Sequence, residues 1–225
     1  MTETTSCRLY LTSPSDFELS KFAEDLSLAL AADDAACLLL RLPDANENDL
    51  IESIETLAPI CHRHDVALIV EDRIDIAANS PADGVHVAAE DYVQARDAMG
   101  DQRIVGVTSE RSRHNAMEAA ETKAEFVAFT DEAVETLPTH EDEEIFSHSE
   151  VISWWQSLIE VPCIAHSVSA SGFSLSECTV LAKAGADFVT AGDAIWHHTD
   201  GPAAGIKAAN AAISAANSVA LKQST

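Results

Sequence analysis

Short apolar runs alternate with longer amphipathic segments along the chain. Each run holds about five residues rich in Val, Ile, Leu or Phe, a pattern typical of strands that are buried on both faces. Eight such runs occur, at residues 8–11, 36–40, 66–70, 84–87, 103–107, 125–129, 161–165 and 187–191. Eight strand–helix units within 225 residues predict a (β/α)8 TIM barrel of one domain, residues 1–225. A doubly wound open sheet is the alternative.

Helix signals lie between these runs. Two Ser-x-x-Glu pairs, Ser15 with Glu18 and Ser174 with Glu177, are spaced as capping boxes and predict where two helices begin. Residues 202–219 are rich in Ala and predict the helix that closes the chain.

The composition adds a strong excess of acid. The chain has 13 Lys and Arg against 38 Asp and Glu, a formal charge of −25. Nucleic-acid binding needs a basic surface, so the charge argues against that partner and indicates a solvated, self-repelling surface; adaptation to high salt is a second interpretation. Residues 131–150 hold eight acidic residues and neither Lys nor Arg. We interpret this insertion after the sixth strand as a solvated loop with a short helix, or as a lid over the active-site face.

The cysteines and the apolar runs indicate the cellular compartment of the protein. Five cysteines, an odd number, form no CxxC pair, which predicts reduced, buried thiols in a cytoplasm. No apolar run reaches the roughly 18 residues of a membrane span, and residues 1–7 lack the basic and apolar regions of a signal peptide. We therefore expect a cytoplasmic protein with no membrane partner.

A barrel forms its active site at the C-terminal ends of its strands, so the residues that follow each apolar run are the candidates. They include Thr12, Arg41, Glu71, Asp72, Glu90, Asp91, Thr108, Thr130, His166, Ser167 and Asp193. Asp72 and Asp91 follow runs that are neighbours in a barrel, so their carboxylates can face one another. Two carboxylates suit Mg²⁺, which prefers oxygen ligands and keeps waters for a phosphate. The alternative is an N-cap role for Asp91 and an ion pair of Asp72 with Arg73.

The central motif has a family resemblance. Residues 67–77, ALIVEDRIDIA, and 82–91, ADGVHVAAED, resemble the pattern LIINDRVDLA followed by ADGVHLGQED of the thiamine phosphate synthase/TenI family. Further matches lie at residues 8–12, 103–107 and 182–189. The resemblance extends from about residue 8 to residue 213. The family fold is a (β/α)8 barrel, in agreement with the count of strand–helix units.

The resemblance implies a transferase of thiamine biosynthesis that joins hydroxymethylpyrimidine diphosphate to a thiazole phosphate and releases pyrophosphate. The Mg²⁺ carboxylates of the family fall on Asp72 and Asp91. Arg41 takes the place of the arginine that holds the diphosphate, and Thr108 that of a strand-end serine, so both are expected at the catalytic centre. No organic cofactor is implied, and a homo-oligomer is left open.

Several positions depart from the family pattern. The Gln and Lys of the family's QLREK motif become Leu39 and Pro43, and the Asn of NDR becomes Glu71. The TxTK loop is missing, and the acidic residues 131–150 stand in its place.

The phosphate loops near the end of the chain also differ. The AIGGI loop becomes AHSVS at residues 165–169, and a serine of the final strand becomes Asp193. We expect Glu71, His166, Ser167 and Asp193 to contact the substrate together with Arg41 and Thr108.

Two other functions stay open on these departures. TenI-like members of the family are metal-independent thiazole tautomerases that use a histidine, and His114, in the sequence Ser-Arg-His at 112–114, is the candidate for that acid–base role. The third interpretation is a non-catalytic barrel that binds a thiamine-related small molecule or a protein partner.

Overall fold

The computed structural model describes residues 6–109, 111, 113–130, 146–167 and 173–223, with the backbone alone for residues 113 and 217–223. Most of the acidic insertion, residues 131–145, lies outside the described residues, as does Ser112.

Eight parallel strands close into a barrel in chain order. They are β1 (Arg8–Thr12), β2 (Cys37–Leu40), β3 (Ala67–Glu71), β4 (Gly84–Ala88), β5 (Ile104–Ser109), β6 (Phe126–Thr130), β7 (Cys163–His166) and β8 (Phe188–Ala191). Pairing of β1 with β8, with Leu9 opposite Val189, completes the ring. The predicted TIM barrel is confirmed and the open sheet is excluded.

Helices connect the strands. They are α1 (Leu19–Ala32), α2 (Glu47–His62), α3 (Ile74–Ala78), α4 (Tyr92–Met99), α5 (Arg113–Glu121), α6 (His148–Leu158), α7 (Leu175–Ala184), α8 (Asp193–Trp196) and α9 (Pro202–Gln223). Within the described part of the chain, none of them combines the length and the apolarity that crossing a membrane requires.

Of the two predicted capping boxes, one is confirmed and one is wrong. Ser174 and Glu177 form the predicted box at the start of α7. The box at Ser15 is wrong, because the N-cap of α1 is Glu18, whose own carboxylate accepts from the backbone N–H groups of Ser20 and Lys21. A further box, Ser147 with Glu150, begins α6, so the last residues of the predicted acidic loop belong to a helix.

Alternation along the strands divides the core into two parts. In β1, Leu9 and Leu11 pack with the helices, whereas Tyr10 points into the barrel. Inside the barrel lies a smaller apolar cluster of Tyr10, Cys37, Leu39, Ile69, Phe126, Ala128 and Ile164. The ring of Phe126 fits there because residue 106 is glycine; a Cβ at that position would lie 1.9 Å from a ring carbon.

The five cysteines are unpaired and buried, as the sequence predicts. Burial raises the pKa of the Cys61 thiol to about 12, so this group stays protonated and inert at neutral pH.

Carboxylates organise the N-terminal face of the barrel. Each of three acidic residues just before β4, β6 and β8 accepts a hydrogen bond from a backbone N–H near the start of the preceding strand. The pairs are Asp83 with Leu68 at 2.7 Å, Glu125 with Val105 at 2.8 Å, and Asp187 with Cys163 at 2.8 Å. These bonds satisfy backbone N–H groups that have no partner in the parallel sheet. The carboxylates of this face therefore stabilise the fold.

Candidate active site

Polar side chains occupy the C-terminal end of the barrel, above the apolar cluster. This polar layer, as we name it, comprises Arg41, Glu71, His86, Thr108, His166 and Thr190. It follows from the two-residue period of the strands, because His86 and Thr108 lie two residues beyond Gly84 and Gly106, and Glu71 lies two beyond Ile69. The fold thus places charge and hydrogen-bonding capacity at the end where barrel enzymes work.

An ion pair joins the C-terminal ends of the neighbouring strands β2 and β3. Nε of Arg41 lies 2.9 Å from Oε1 and 3.1 Å from Oε2 of Glu71. On another side, Nη1 of Arg41 donates to the carbonyl oxygen of Ser167 at 3.4 Å. The two side chains of the pair are only 19% and 21% exposed. Arg41 therefore links the ends of β2, β3 and β7.

Burial and charge oppose each other at Glu71. Burial raises the pKa of its carboxyl above the usual value, and the Arg41 guanidinium works against that rise. The ion pair therefore keeps in place a carboxylate that burial alone would favour in its protonated form.

Two buried histidines complete the layer. Nε2 of His86 lies 2.9 Å from Oγ1 of Thr108, and the rings of His86 and His166 meet edge to face with centroids 5.3 Å apart. Burial lowers the pKa of His86 to about 3 and that of His166 well below its usual value. Both imidazoles are therefore neutral at pH 7. Each Nδ1 atom is buried and has no hydrogen-bond partner among the described residues, which is unusual for a buried polar atom.

Asp72 and Asp91 lie at the rim, as predicted. Burial raises the pKa of the Asp72 carboxyl, and the charge of Asp91 raises it further, so the two carboxylates are close enough to repel each other. Asp72 adopts a left-handed backbone with φ of 58°, and its N–H donates to the carbonyl of His86 at 3.0 Å. A strained backbone at a rim carboxylate is a feature of functional sites.

The alternative roles of these two residues are not realised. Asp91 occupies the N-cap position of α4, but its side chain makes no capping hydrogen bond. Nη1 of Arg73 donates to the carbonyl of Ala45, and no ion pair joins Asp72 to Arg73 in the described part of the chain. No group of three or more His, Cys, Asp or Glu side chains that could hold a metal occurs among the described residues. Two repelling carboxylates nevertheless fit Mg²⁺, which takes oxygen ligands and retains waters.

The region after β7 and β8 holds the next predicted residues. Ser167 is buried; its N–H donates to Oγ1 of Thr190 at 2.9 Å, while its carbonyl accepts from Arg41. Asp193 is the first residue of α8, with Oδ1 3.3 Å from Nδ1 of His197. It therefore places a negative charge beside the last strand.

His114 is not directed into the polar layer. It lies in the first turn of α5, its side chain is 64% exposed, and Nε2 is 3.5 Å from Oε1 of Glu118 on the same helix. The predicted acid–base role for this residue gains no geometric support.

Two features of the site escaped the sequence reasoning. Thr190 is absent from the predicted site residues. It lies between Val189 and Ala191, which pack outward against the helices, so the two-residue period of a strand would have predicted that Thr190 points into the barrel. A groove of about 440 Å³ also lies at the ends of β4 to β6. Its lining includes Glu90, Thr108, Ser109, Asn115, Glu118 and Thr130.

A closed (β/α)8 barrel with a polar layer at the C-terminal ends of its strands defines the class: a TIM-barrel protein. A family model described as thiamine monophosphate synthase matches residues 9–195. The chain therefore belongs to the thiamine monophosphate synthase family, whose work is thiamine biosynthesis. The resemblance found in the sequence is confirmed.

Individual relatives agree with this assignment. Thiamine-phosphate synthase of Rhodospirillum centenum is 42% identical over 205 residues, covering 90% of this chain and 95% of that protein. Thiamine-phosphate synthase of Hyphomonas neptunium is 33% identical over 213 residues, covering 91% and 92%. Among solved structures, thiamine phosphate pyrophosphorylase from Pyrococcus furiosus superposes with a TM-score of 0.74 at 20% identity, covering 95% of this chain and 98% of that one. The likeness to the solved structure concerns the fold alone.

Proposed function

We propose that this chain is a thiamine-phosphate synthase that couples hydroxymethylpyrimidine diphosphate to a thiazole phosphate and releases pyrophosphate. The relatives supply the reaction. The observation that carries it in this chain is the placement of Asp72 and Asp91, mutually repelling, on the same rim as Arg41. A guanidinium beside a pair of carboxylates forms a site for a metal-bound diphosphate.

The roles of the residues follow from their positions. Arg41 binds the diphosphate through charge-assisted hydrogen bonds. Asp72 and Asp91 would hold Mg²⁺, and the ion would supply positive charge to offset that of the diphosphate. Thr108, whose hydroxyl is paired with Nε2 of His86, is held for contact with the substrate.

The histidines act as neutral groups. His86 and His166 carry no proton to donate as imidazolium at neutral pH, because burial depresses both pKa values. The two neutral rings instead suit an uncharged ring, and we place the pyrimidine or the thiazole above them. Ser167 and Asp193 flank this position from β7 and α8.

The negative charge of the mouth supports the proposal that a metal accompanies the diphosphate. Among the described residues, the carboxylates of Glu71 and Asp72 feel the charge of Arg41, and Asp91 adds a further negative charge beside Asp72. Each like-charge contact at 4 Å costs about 1 kcal/mol in water and about 4 kcal/mol at an effective dielectric constant of 20. A bare diphosphate would meet this repulsion, whereas a magnesium complex brings two positive charges to offset it.

The experiment measures pyrophosphate release from hydroxymethylpyrimidine diphosphate and thiazole phosphate in the presence of Mg²⁺. We expect release by the wild-type protein and its loss in Asp91→Ala. Asp97→Ala is the matched control, since Asp97 is an exposed acid on α4, and it should release pyrophosphate as the wild type does. The proposal fails if the wild type releases none, or if Asp91→Ala matches Asp97→Ala.

The tautomerase and binding-barrel interpretations have no specific geometric support. The tautomerase depends on His114, which faces solvent. A binding role alone does not account for the electrostatic coupling of Asp72 and Asp91 at the rim.

A further inference from the structure

We propose that Glu71 competes internally for Arg41 and thereby sets how tightly the barrel mouth binds a diphosphate. The inference rests on the proposed function for the identity of the anion, but its geometry stands on the described residues. It makes Glu71 a specificity-determining residue rather than a substrate-binding one.

The contact between the two side chains occupies the Nε–H donor of Arg41. Both carboxylate oxygens of Glu71 lie within 3.1 Å of Nε of Arg41, and the carbonyl of Ser167 takes Nη1. A phosphate oxygen seeks the same N–H groups in the same fork geometry. An incoming anion must therefore displace one carboxylate before it gains full contact with the guanidinium.

The surroundings strengthen this competition. The pair is about four-fifths buried, so solvent and salt screen it less than they would a surface pair. The net charge of Arg41 and Glu71 together is zero, and the adjacent Asp72 adds a negative charge. Within the described part of the chain, the Arg41–Glu71 pair thus offers an anion no net positive charge.

The backbone fixes Glu71 in place. Glu71 is the last residue of β3 and lies in register with His86 of β4. The carbonyl of Glu71 accepts from the N–H of Arg73 at 2.8 Å, and the following residue, Asp72, donates to His86. Since the barrel ladder holds this segment on both sides, release of Arg41 requires rotation of side chains and not movement of the strand.

A competitor and a positioning group predict opposite results. If Glu71 only orients Arg41 for the ligand, its neutralisation weakens anion binding. If Glu71 competes, its neutralisation strengthens binding. The sign of the change therefore decides the matter.

The test measures the dissociation constant of inorganic pyrophosphate in excess Mg²⁺ by isothermal titration calorimetry. We expect Glu71→Gln, which removes the charge and keeps the size, to lower the dissociation constant by about tenfold or more. Asp75→Asn is the matched control, because Asp75 is an exposed acid in the first turn of α3. It removes the same charge a short distance away and should change the constant by less than about twofold.

Two more variants secure the result. Glu71→Asn serves if Glu71→Gln does not give a cooperative thermal transition, and it should also tighten binding. Adding Arg41→Gln to Glu71→Gln should abolish the gain, because the freed guanidinium is its source. An unchanged or higher dissociation constant in the folded Glu71 variants overturns the inference.

Failure of the function and failure of the inference remain distinguishable. If no coupling is detected but Glu71→Gln tightens pyrophosphate binding, the inference stands and the synthase proposal falls. If coupling is detected and the Glu71 variants bind pyrophosphate no better than the wild type, the synthase proposal stands and the inference falls.

Discussion

His86 and His166 meet edge to face in the mouth of the barrel, with 5.3 Å between their ring centroids. They reach this contact from β4 and β7, 80 residues apart along the chain. Burial lowers the pKa of both rings, and the neighbouring His86 lowers that of His166 further, so both imidazoles are neutral at pH 7.

Because both rings are neutral in the fold, we expect the free energy of unfolding to decrease in acid. An unfolded histidine has a pKa of about 6.5, whereas in the fold the pKa of His86 is about 3 and that of His166 lies well below its usual value. Below pH 6.5 the unfolded chain binds more protons than the native one at these two positions. The free energy of unfolding should therefore decrease as pH falls, by about 1.4 kcal/mol per pH unit for each histidine.

Urea unfolding at pH 7.5, 6.5 and 5.5 measures this slope, and His166→Asn should make it shallower than that of the wild type. The raised pKa values of Glu71 and Asp72 act in the opposite direction at the acidic end, because the native state takes up those protons first. Identical slopes for the wild type and His166→Asn would show that the buried ring does not govern the acid response.

The left-handed backbone at Asp72 predicts an order of stability among its variants. Asparagine tolerates a positive φ well, and glycine adopts it without a steric penalty. Asp72→Asn and Asp72→Gly should therefore keep the thermal midpoint or raise it, since both also remove the repulsion from Asp91. Asp72→Val should lose about 1–3 kcal/mol through strain. Thermal melts without metal check the order, and an equal midpoint for Asn and Val would contradict it.

The hydrogen bond between Thr108 and His86 predicts that loss of the Thr108 hydroxyl lowers activity. Thr108→Val keeps the shape of the side chain and removes the hydroxyl that lies 2.9 Å from Nε2 of His86. We expect at least about a tenfold loss of pyrophosphate release, because a buried imidazole nitrogen loses its partner and a polar group at the mouth is removed. Thr108→Ser should retain most of the activity. Activity in Thr108→Val equal to that in Thr108→Ser would exclude a role for the hydroxyl.

The N-terminal face of the barrel predicts a loss of stability without a loss of chemistry. Asp187 accepts from the backbone N–H of Cys163 at 2.8 Å and from Nε2 of Gln156 at 2.7 Å. Asp187→Ala leaves these donors without that acceptor and should cost about 1–3 kcal/mol. Pyrophosphate release per folded molecule should remain that of the wild type, since the residue lies at the opposite end from the mouth. Denaturant midpoints and activity below the melting range test both statements.

The repeating pattern of the sequence determined the architecture. Eight apolar runs separated by helical segments sufficed for the barrel, because each strand is buried on both faces and shows this locally. The same pattern located the functional end, since the residues after each run meet at one rim whatever the details of packing. It also placed Asp72 and Asp91 near each other, because they follow neighbouring strands.

Local signals near helix ends were less secure. Ser15 and Glu18 had the spacing of a capping box, yet Glu18 itself caps α1. Several side chains near a helix start can bond the same free N–H groups, so the choice among them depends on the path of the incoming loop.

Tertiary structure alone decided how the site residues are paired. Arg41 and Glu71 are 30 residues apart, and Arg41 and Ser167 are 126 apart. The sequence marked Arg41, Glu71 and Ser167 as separate substrate contacts, and it could not show that the first two neutralise each other. Such a contact depends on the register of the strands, on the closure of the barrel and on which side chains are buried together at its mouth. These are properties of the folded chain, because no short segment contains both partners.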